Sequence, residues 1–508
     1  MLETTKKTHS NNSEFFGHPA GLSTLFFTEM WERMSYYGMR ALLVLFMTLN
    51  MQEGGLGLTV ASATAIYGLY TGAVYFFGLP GGWIADRLIG GQKAIWYGGI
   101  IIMLGHILLT IPNNLTFFIG LIFIILGTGL LKPNIGALVG SLYSKEDSRR
   151  DAGYALYYMG INIGSIIGYI ICGWLQIYKG YHWAFGAAAI GMGLGLIQFK
   201  LTLYKLEGMA TRPTQPLTRA GQRNSKLGII VFLFFLVLLI AVIFSGEIAV
   251  NPISIAQYVA ALIAIIFLGY YAAILFFMDL DLNERKSLIA LFLICLASTL
   301  FWAGAEQAGS SLNLFGRDFT NRLIGAFEIP TSWFQSANSF FIVILSPFFA
   351  ALWVNLGKNL IRPNYGLKCA TGLIIMSSGF IVMFFASQAA ASGFSVAPYW
   401  LITTYFLHTV GELCLSPVAL SAVSRLSPKR LAGQMMGVFT LTYSIGSLVA
   451  GLIAGKFDPG SIYQMPNLYL QITFFLICSG IVIAIFATRT RNWESLLEEP
   501  AASLETKS

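Results

Sequence analysis

The sequence predicts an all-α integral membrane protein: two bundles of six transmembrane helices, with two further helices inserted between them. Three observations predict it. First, 56% of the 508 residues are hydrophobic and only 11% are charged. The mean hydropathy of +0.70 excludes a soluble domain. Second, apolar segments long enough to cross about 30 Å of hydrocarbon recur along the whole chain. Third, the few charges inside those segments sit in corresponding places of the two halves.

Fourteen spans are expected, at 20–49, 59–86, 94–111, 115–143, 152–177, 183–203, 228–246, 254–278, 287–314, 331–355, 369–387, 396–425, 431–455 and 468–488. Residues 1–19 form a polar tail with Lys6 and Lys7, and no short apolar run with a small-residue cleavage site marks a signal peptide. Six spans then make an N-terminal bundle, 20–204. The stretch 205–227, with its Thr, Arg and Pro, reads as a linker. Spans within 228–278 hold almost no polar residue and read as peripheral and lipid-facing. Six more, 287–488, form a C-terminal bundle ahead of a tail at 489–508. Two related six-helix halves around a midplane site is a known transporter plan.

Orientation follows from the basic residues. With the N-terminus inside, 24 lysines and arginines fall on the cytoplasmic side. Four (Lys179, Arg317, Arg322 and Lys456) fall outside. That asymmetry places both termini in the cytoplasm. It also accounts for the net charge of +8 without any nucleic-acid face or arm. The five cysteines lie inside predicted spans and read as small core hydrophobes without disulfides.

The first span carries the strongest functional signal. Glu29, Glu32, Arg33, Tyr36, Tyr37 and Arg40 share one helix face, a stripe roughly 140° wide at about 100° per residue. An ionisable side chain at membrane depth costs at least a few kcal/mol unless paired or wet. Four on one face point to a water-filled transport cavity. Other intramembrane polar groups are fewer. Lys132 precedes Pro133 and Asn134 about ten residues from the next loop, too far inside for easy snorkelling. Tyr158 and Asn162 lie at i, i+4, as do Trp302 and Glu306, and Glu412 and Ser416. Asn162 and Asn338 each have an alternative reading as packed amides. His106 and His408 read as core histidines.

The charges have a pattern. Glu29, Glu32, Arg33, Arg40 and Lys132 give the first half a net of +1, whereas Glu306 and Glu412 give the second −2 when ionised. Walls of opposite sign suit a zwitterion: its carboxylate toward Arg40 and Lys132, its ammonium toward Glu412. Tyrosines and Trp302 would supply adaptable apolar contact. Buried carboxylates are also proton carriers. Physical reasoning reaches a proton-coupled transporter of a small zwitterion, and leaves peptide and amino acid both open.

A resemblance goes further. The run Glu29-Met30-Trp31-Glu32-Arg33-Met34-Ser35-Tyr36-Tyr37-Gly38 resembles the ExxERFxYYG signature of the proton-dependent oligopeptide transporters, a branch of the major facilitator superfamily. Met34 stands where the family usually has Phe. Gly81-Gly82-Trp83-Ile84-Ala85-Asp86-Arg87 is similar to the superfamily's loop between helices 2 and 3. Tyr157 to Ser165 resembles the second signature. Phe301-Trp302 with Glu306-Gln307, and Gly411-Glu412 with Ser416-Pro417, are similar to the helix 7 and helix 10 motifs.

The resemblance implies a major facilitator fold of the bacterial fourteen-helix type, in the bacterial inner (cytoplasmic) membrane. It implies a symporter importing di- and tripeptides by alternating access, with protons as coupling ion and no cofactor or metal. The peptide carboxylate would meet Arg40 and Lys132; its amino terminus would meet Glu412, helped by Asn338. Tyr36, Tyr37, Tyr75, Tyr158, Asn162, Trp302 and Ser416 would line the pocket. Glu29, Glu32, Arg33, Lys132 and Glu306 would carry proton coupling, and Asp86 and Arg87 would latch helix ends during gating. Membrane lipid is an expected partner, and a monomer is the family expectation. Phe439 stands where some relatives have Trp, which removes an indole N–H. Carriers of nitrate, other anions or amino acids are the alternative on the same fold. An enzyme is not expected, since HExxH, GxGD, GxSG and phosphate-loop motifs are all absent.

Overall fold

The computed structural model describes residues 14–144, 147–246, 250–358, 364–494 and 496. Its helices, in chain order, are α1 (Gly21–Thr48), α2 (Val60–Phe76), α3 (Gly78–Ile84), α4 (Gly91–Leu109), α5 (Asn114–Ser141), α6 (Arg150–Lys179), α7 (Tyr181–Thr202), α8 (Arg219–Phe244) and α9 (Pro252–Phe277). The second half contributes α10 (Leu282–Ala305), α11 (Ser311–Asp318), α12 (Thr331–Lys358), α13 (Tyr365–Ala391), α14 (Tyr399–Leu426), α15 (Ala432–Ala454) and α16 (Met465–Arg489). A short hairpin, β1 (Leu323–Ile324) with β2 (Phe327–Glu328), joins α11 to α12.

Each of the fourteen expected spans coincides with helix, and two of them are broken. The second span divides at Phe77 into α2 and α3, then ends in a π-turn over Ala85–Ile89. The ninth, 287–314, gives way at Glu306–Gly309 to a 3₁₀ turn between α10 and α11. Hydropathy sees only that a segment is apolar, so it runs straight through both breaks. Helix starts follow ordinary capping chemistry. The Asn113 side chain accepts from Leu115 and Thr116 N–H groups to begin α5, and Asp281 with Glu284 forms a capping box on α10.

The residues group into two compact units. The first holds the described residues up to Met39, then those of 77–172 and His182–Ile240. Its apolar core includes Leu25, Ile102, Leu131, Ile135, Met192 and Phe199. The second holds Arg40–Phe76, Gly173–Tyr181 and the described residues from Ala241 onward. The last third of α1, all of α2, and α9 through α16 therefore pack as one body.

Within that second body, α2 lies directly on α15. A Cβ at Gly451 would stand 2.4 Å from the Thr64 carbonyl oxygen, and one at Gly68 would be 2.9 Å from that of Ser447. Small residues let two membrane helices touch backbone to backbone, where apolar lipid gives no hydrophobic drive for association. The Ser444 hydroxyl adds a 2.8 Å hydrogen bond to the Gly72 carbonyl.

The inserted pair divides in character. No residue of α8 is buried, as a lipid-facing helix requires. The other helix, α9, is docked: Phe267 and Tyr271 are buried, and the Tyr271 hydroxyl donates to the Leu288 carbonyl. It packs on α2 and α15. The cysteines are all free, four of them buried.

The α2–α15 seam predicts the effect of a single side chain. Gly451→Val forces overpacking worth about 1–3 kcal/mol. It should lower the detergent melting temperature and reduce uptake in proteoliposomes. An unchanged melting curve would contradict the seam.

Candidate functional site

Spacings of three and four residues on α1 stack its charges along one face. In the first unit Arg33 Nε lies 3.0 Å from Glu29 Oε1 and 2.5 Å from Glu32 Oε2. All three side chains are at most 2% exposed. The guanidinium also sits 5.1 Å from the Tyr36 ring centre and 5.9 Å from that of Tyr37. Two carboxylates thus share one cation. Lys132 of α5 is near enough to act electrostatically on Glu32, so the cluster is close to neutral. The expectation of a wet, cavity-lining stripe changes accordingly. These groups are buried, and ion pairing does what hydration was expected to do.

The neighbouring helices in this unit position the rest. Pro133 removes one internal N–H from α5, and the Asn134 side chain donates 2.6 Å to the Leu130 carbonyl beside it. Lys132 stands at this loosened turn. On α6, Asn162 is buried and donates to the Tyr158 carbonyl at 2.9 Å, while the Tyr158 ring is exposed. Asp86 and Arg87 lie in the π-turn after α3, and their partners are in the linker. Thr214 Oγ1 donates 2.9 Å to the Asp86 carboxylate, Gln215 N donates to the Asp86 carbonyl, and Arg87 Nη1 reaches the Gln215 carbonyl at 3.5 Å.

The second unit gathers a separate set. Arg40, on the last turns of α1, lies 3.3 Å from Glu306 Oε1, and both are buried. The Tyr67 hydroxyl donates 3.0 Å to Glu306 Oε2, and Arg40 lies 5.9 Å from the Tyr67 ring centre. The broken turn after α10 makes this possible by aiming Glu306 inward where a continuous helix would carry on. Gly309 completes it, since a Cβ there would fall 2.0 Å from the Tyr67 oxygen.

On α14, Glu412 accepts 3.1 Å from Asn338 Nδ2, which also donates to Thr409 Oγ1 at 3.0 Å. No ion pair holds Glu412 among the described residues. The Ser416 hydroxyl is buried without a hydrogen-bond partner there. Beside them Tyr75 stacks on Tyr443 with ring centres 5.2 Å apart, and Tyr443 packs against Trp302 at 4.8 Å and Phe439 at 5.5 Å. His106 and His408 are buried, and His408 packs on Phe380 at 4.7 Å.

Comparison with known proteins identifies the arrangement. The sequence profile of the POT family matches residues 92–467. The chain belongs to the POT family. It is 39% identical over 500 residues to the peptide transporter YePEPT of Yersinia enterocolitica, covering 95% of this chain and 97% of that one. It is 35% identical over 501 residues to a di-/tripeptide transporter of Lactococcus lactis subsp. cremoris, covering 95% and 96%. A crystal structure of a mutant peptide transporter POT in complex with alafosfalin superposes with a TM-score of 0.87 at 36% identity, over 96% of this chain and 97% of that one.

In this POT-family chain three residues outside the expected set join the polar clusters. Tyr67 holds Glu306, and Tyr157 directs its hydroxyl at Glu29. Gln307 bridges the broken turn to α15, donating to the Ala450 carbonyl at 3.1 Å. Tyr443 joins the aromatic group. Tyr67 and Tyr443 are uncharged aromatics in apolar helices, so a search for intramembrane charge passes over them. The available signal was spacing, since Tyr443 is four residues after Phe439.

The Arg33 cluster predicts a stability phenotype. Arg33→Ala strands two buried carboxylates, and breaking a buried pair in this way costs about 3–5 kcal/mol. The melting temperature should fall sharply. Adding Glu29→Gln and Glu32→Gln should restore most of it, and a triple variant no more stable than the single would refute the pairing account.

Proposed function

We propose that this POT-family membrane protein is a proton-coupled symporter that imports di- and tripeptides by alternating access. The observation that carries the reading is Glu412: a carboxylate on a membrane helix, oriented by Asn338, with no ion pair among the described residues and Arg40 acting on it only through space. A cation supplied by the substrate completes it. The peptide ammonium is that cation, and Ser416 and the Tyr75–Tyr443–Trp302 rings give it a polar neighbour and apolar walls.

The peptide carboxylate then goes to Arg40, with Lys132 as the second cation. Arg40 is engaged by Glu306 at 3.3 Å. A proton on Glu306 neutralises that carboxylate and frees Arg40 for the substrate, which couples proton binding to peptide binding at one guanidinium. Glu29, Glu32, Arg33 and Lys132 supply a second proton-sensitive cluster. Moving a two-state equilibrium from 1:99 to 99:1 takes about 5.5 kcal/mol of differential binding. Rearranging a buried ion pair and seating a charged substrate are of that order. The broken turn at Glu306–Gly309 is the natural hinge. We place the protein, as a monomer, in the bacterial cytoplasmic membrane. A carrier of another small zwitterion or anion remains the second reading: Glu412 recognises an ammonium and not a peptide bond, which admits an amino acid, whereas an anion would use Arg40 alone.

Binding of dialanine to the purified protein tests the assignment. Glu412→Gln should weaken it on the order of thirty-fold or more, as loss of a buried charge partner costs about 2–5 kcal/mol. N-acetyl-dialanine should bind the unaltered protein no better than dialanine binds the variant. Equal affinity for both ligands would remove Glu412 from the ammonium site.

A further inference from the structure

The first unit contains a pocket that the transport reading leaves unused. It is a half-open cleft of about 360 Å³ where α1 begins and α7 ends, within the size range of small-ligand sites. Ser23, Gln198 and Thr202 form its polar floor, Phe15 and Phe27 its apolar wall, and Glu14 and Lys205 its charges.

The floor is already satisfied. Thr28 Oγ1 donates to Gln198 Oε1, and Gln198 Nε2 donates to Thr202 Oγ1, each at 3.0 Å. The two charges are not. Among the described residues Lys205 Nζ makes one hydrogen bond, 3.2 Å to Ser23 Oγ, of the three it can donate. Glu14 has neither hydrogen bond nor ion pair among the described residues, with Arg149 acting on it only through space, and no salt bridge joins it to Lys205. The segment bearing Glu14 is held in place. Phe15 and His18 exchange both backbone hydrogen bonds, Arg149 Nη1 donates to the Gly17 carbonyl, and the Phe15 ring packs on Phe26 and Phe27. Apolar surface adjoins the pocket: Phe27 of its wall is 37% exposed, and Leu201, next in the chain to the lining residue Thr202, is 70% exposed.

We infer that this pocket binds the phosphoethanolamine headgroup of a membrane phospholipid. A separated cation and anion match a phosphate and an ammonium on one headgroup, and the adjoining apolar surface matches its acyl chains. Lys205 takes the phosphate, Glu14 takes the ammonium, and the chains run along Phe27 and Leu201. The basic-residue asymmetry puts the site in the cytoplasmic leaflet. An anionic glycerol headgroup leaves Glu14 without a partner, and free phosphate leaves the apolar surface uncovered.

The test is native mass spectrometry of the full chain released from vesicles of equal phosphatidylethanolamine and phosphatidylglycerol. The unaltered protein should retain phosphatidylethanolamine preferentially. Lys205→Gln should lower that occupancy on the order of fivefold, the effect of losing an interfacial charge pair of about 1 kcal/mol. Glu14→Gln should abolish the preference over phosphatidylglycerol while leaving total lipid bound. Matching melting temperatures establish that both variants are folded. Identical lipid ratios in all three proteins would overturn the proposal. So would loss of the bound lipid on adding inorganic phosphate alone, which would make the pocket a simple anion site.

Discussion

A charge inside a membrane helix must be paired, protonated or hydrated, because the hydrocarbon offers nothing else to stabilise it. Much of this structure is organised by that constraint. Along α1 it is met twice by ion pairing: Arg33 between Glu29 and Glu32, and Arg40 against Glu306. Each pair is stable only while its carboxylate stays ionised. A proton that neutralises the acid therefore also releases the base. Burial thus makes these groups responsive as well as stable, and a transporter uses that responsiveness to couple proton binding to substrate binding.

Placing such pairs demands departures from regular helix. Glu306 reaches Arg40 and Tyr67 because the ninth span unwinds for a turn, and Gly309 is required there because any side chain would displace Tyr67. Gly68 and Gly451 bring α2 onto α15 closely enough to hold Tyr67 and Tyr75 in position. Lys132 precedes a proline that loosens its own turn of α5. Backbone irregularity and functional charge occur together, as expected where a two-state device needs hinges next to its ligands.

Much of this was legible in the sequence. Hydropathy located every span, since the bilayer enforces length and apolarity segment by segment. The charged stripe was legible because an ionisable residue stands out against an apolar background. The two helix breaks were not, because Ala303, Gly304 and Ala308 around Glu306 are as compatible with helix as with a turn. Nor was Tyr67, whose importance comes from Glu306, distant in sequence and brought near only by folding. The stripe's environment was misread for a related reason. A sequence shows that a charge must be compensated, but the choice between water and Arg33 is made by three-dimensional packing.

The central claim is that ionisable groups inside the membrane convert a proton gradient into peptide accumulation. Uptake of labelled dialanine into proteoliposomes, with an inward proton gradient and an inside-negative potential, tests it most directly. Accumulation above equilibrium that an uncoupler collapses is the predicted result. Uptake that stops at equilibrium whatever the gradient would contradict it.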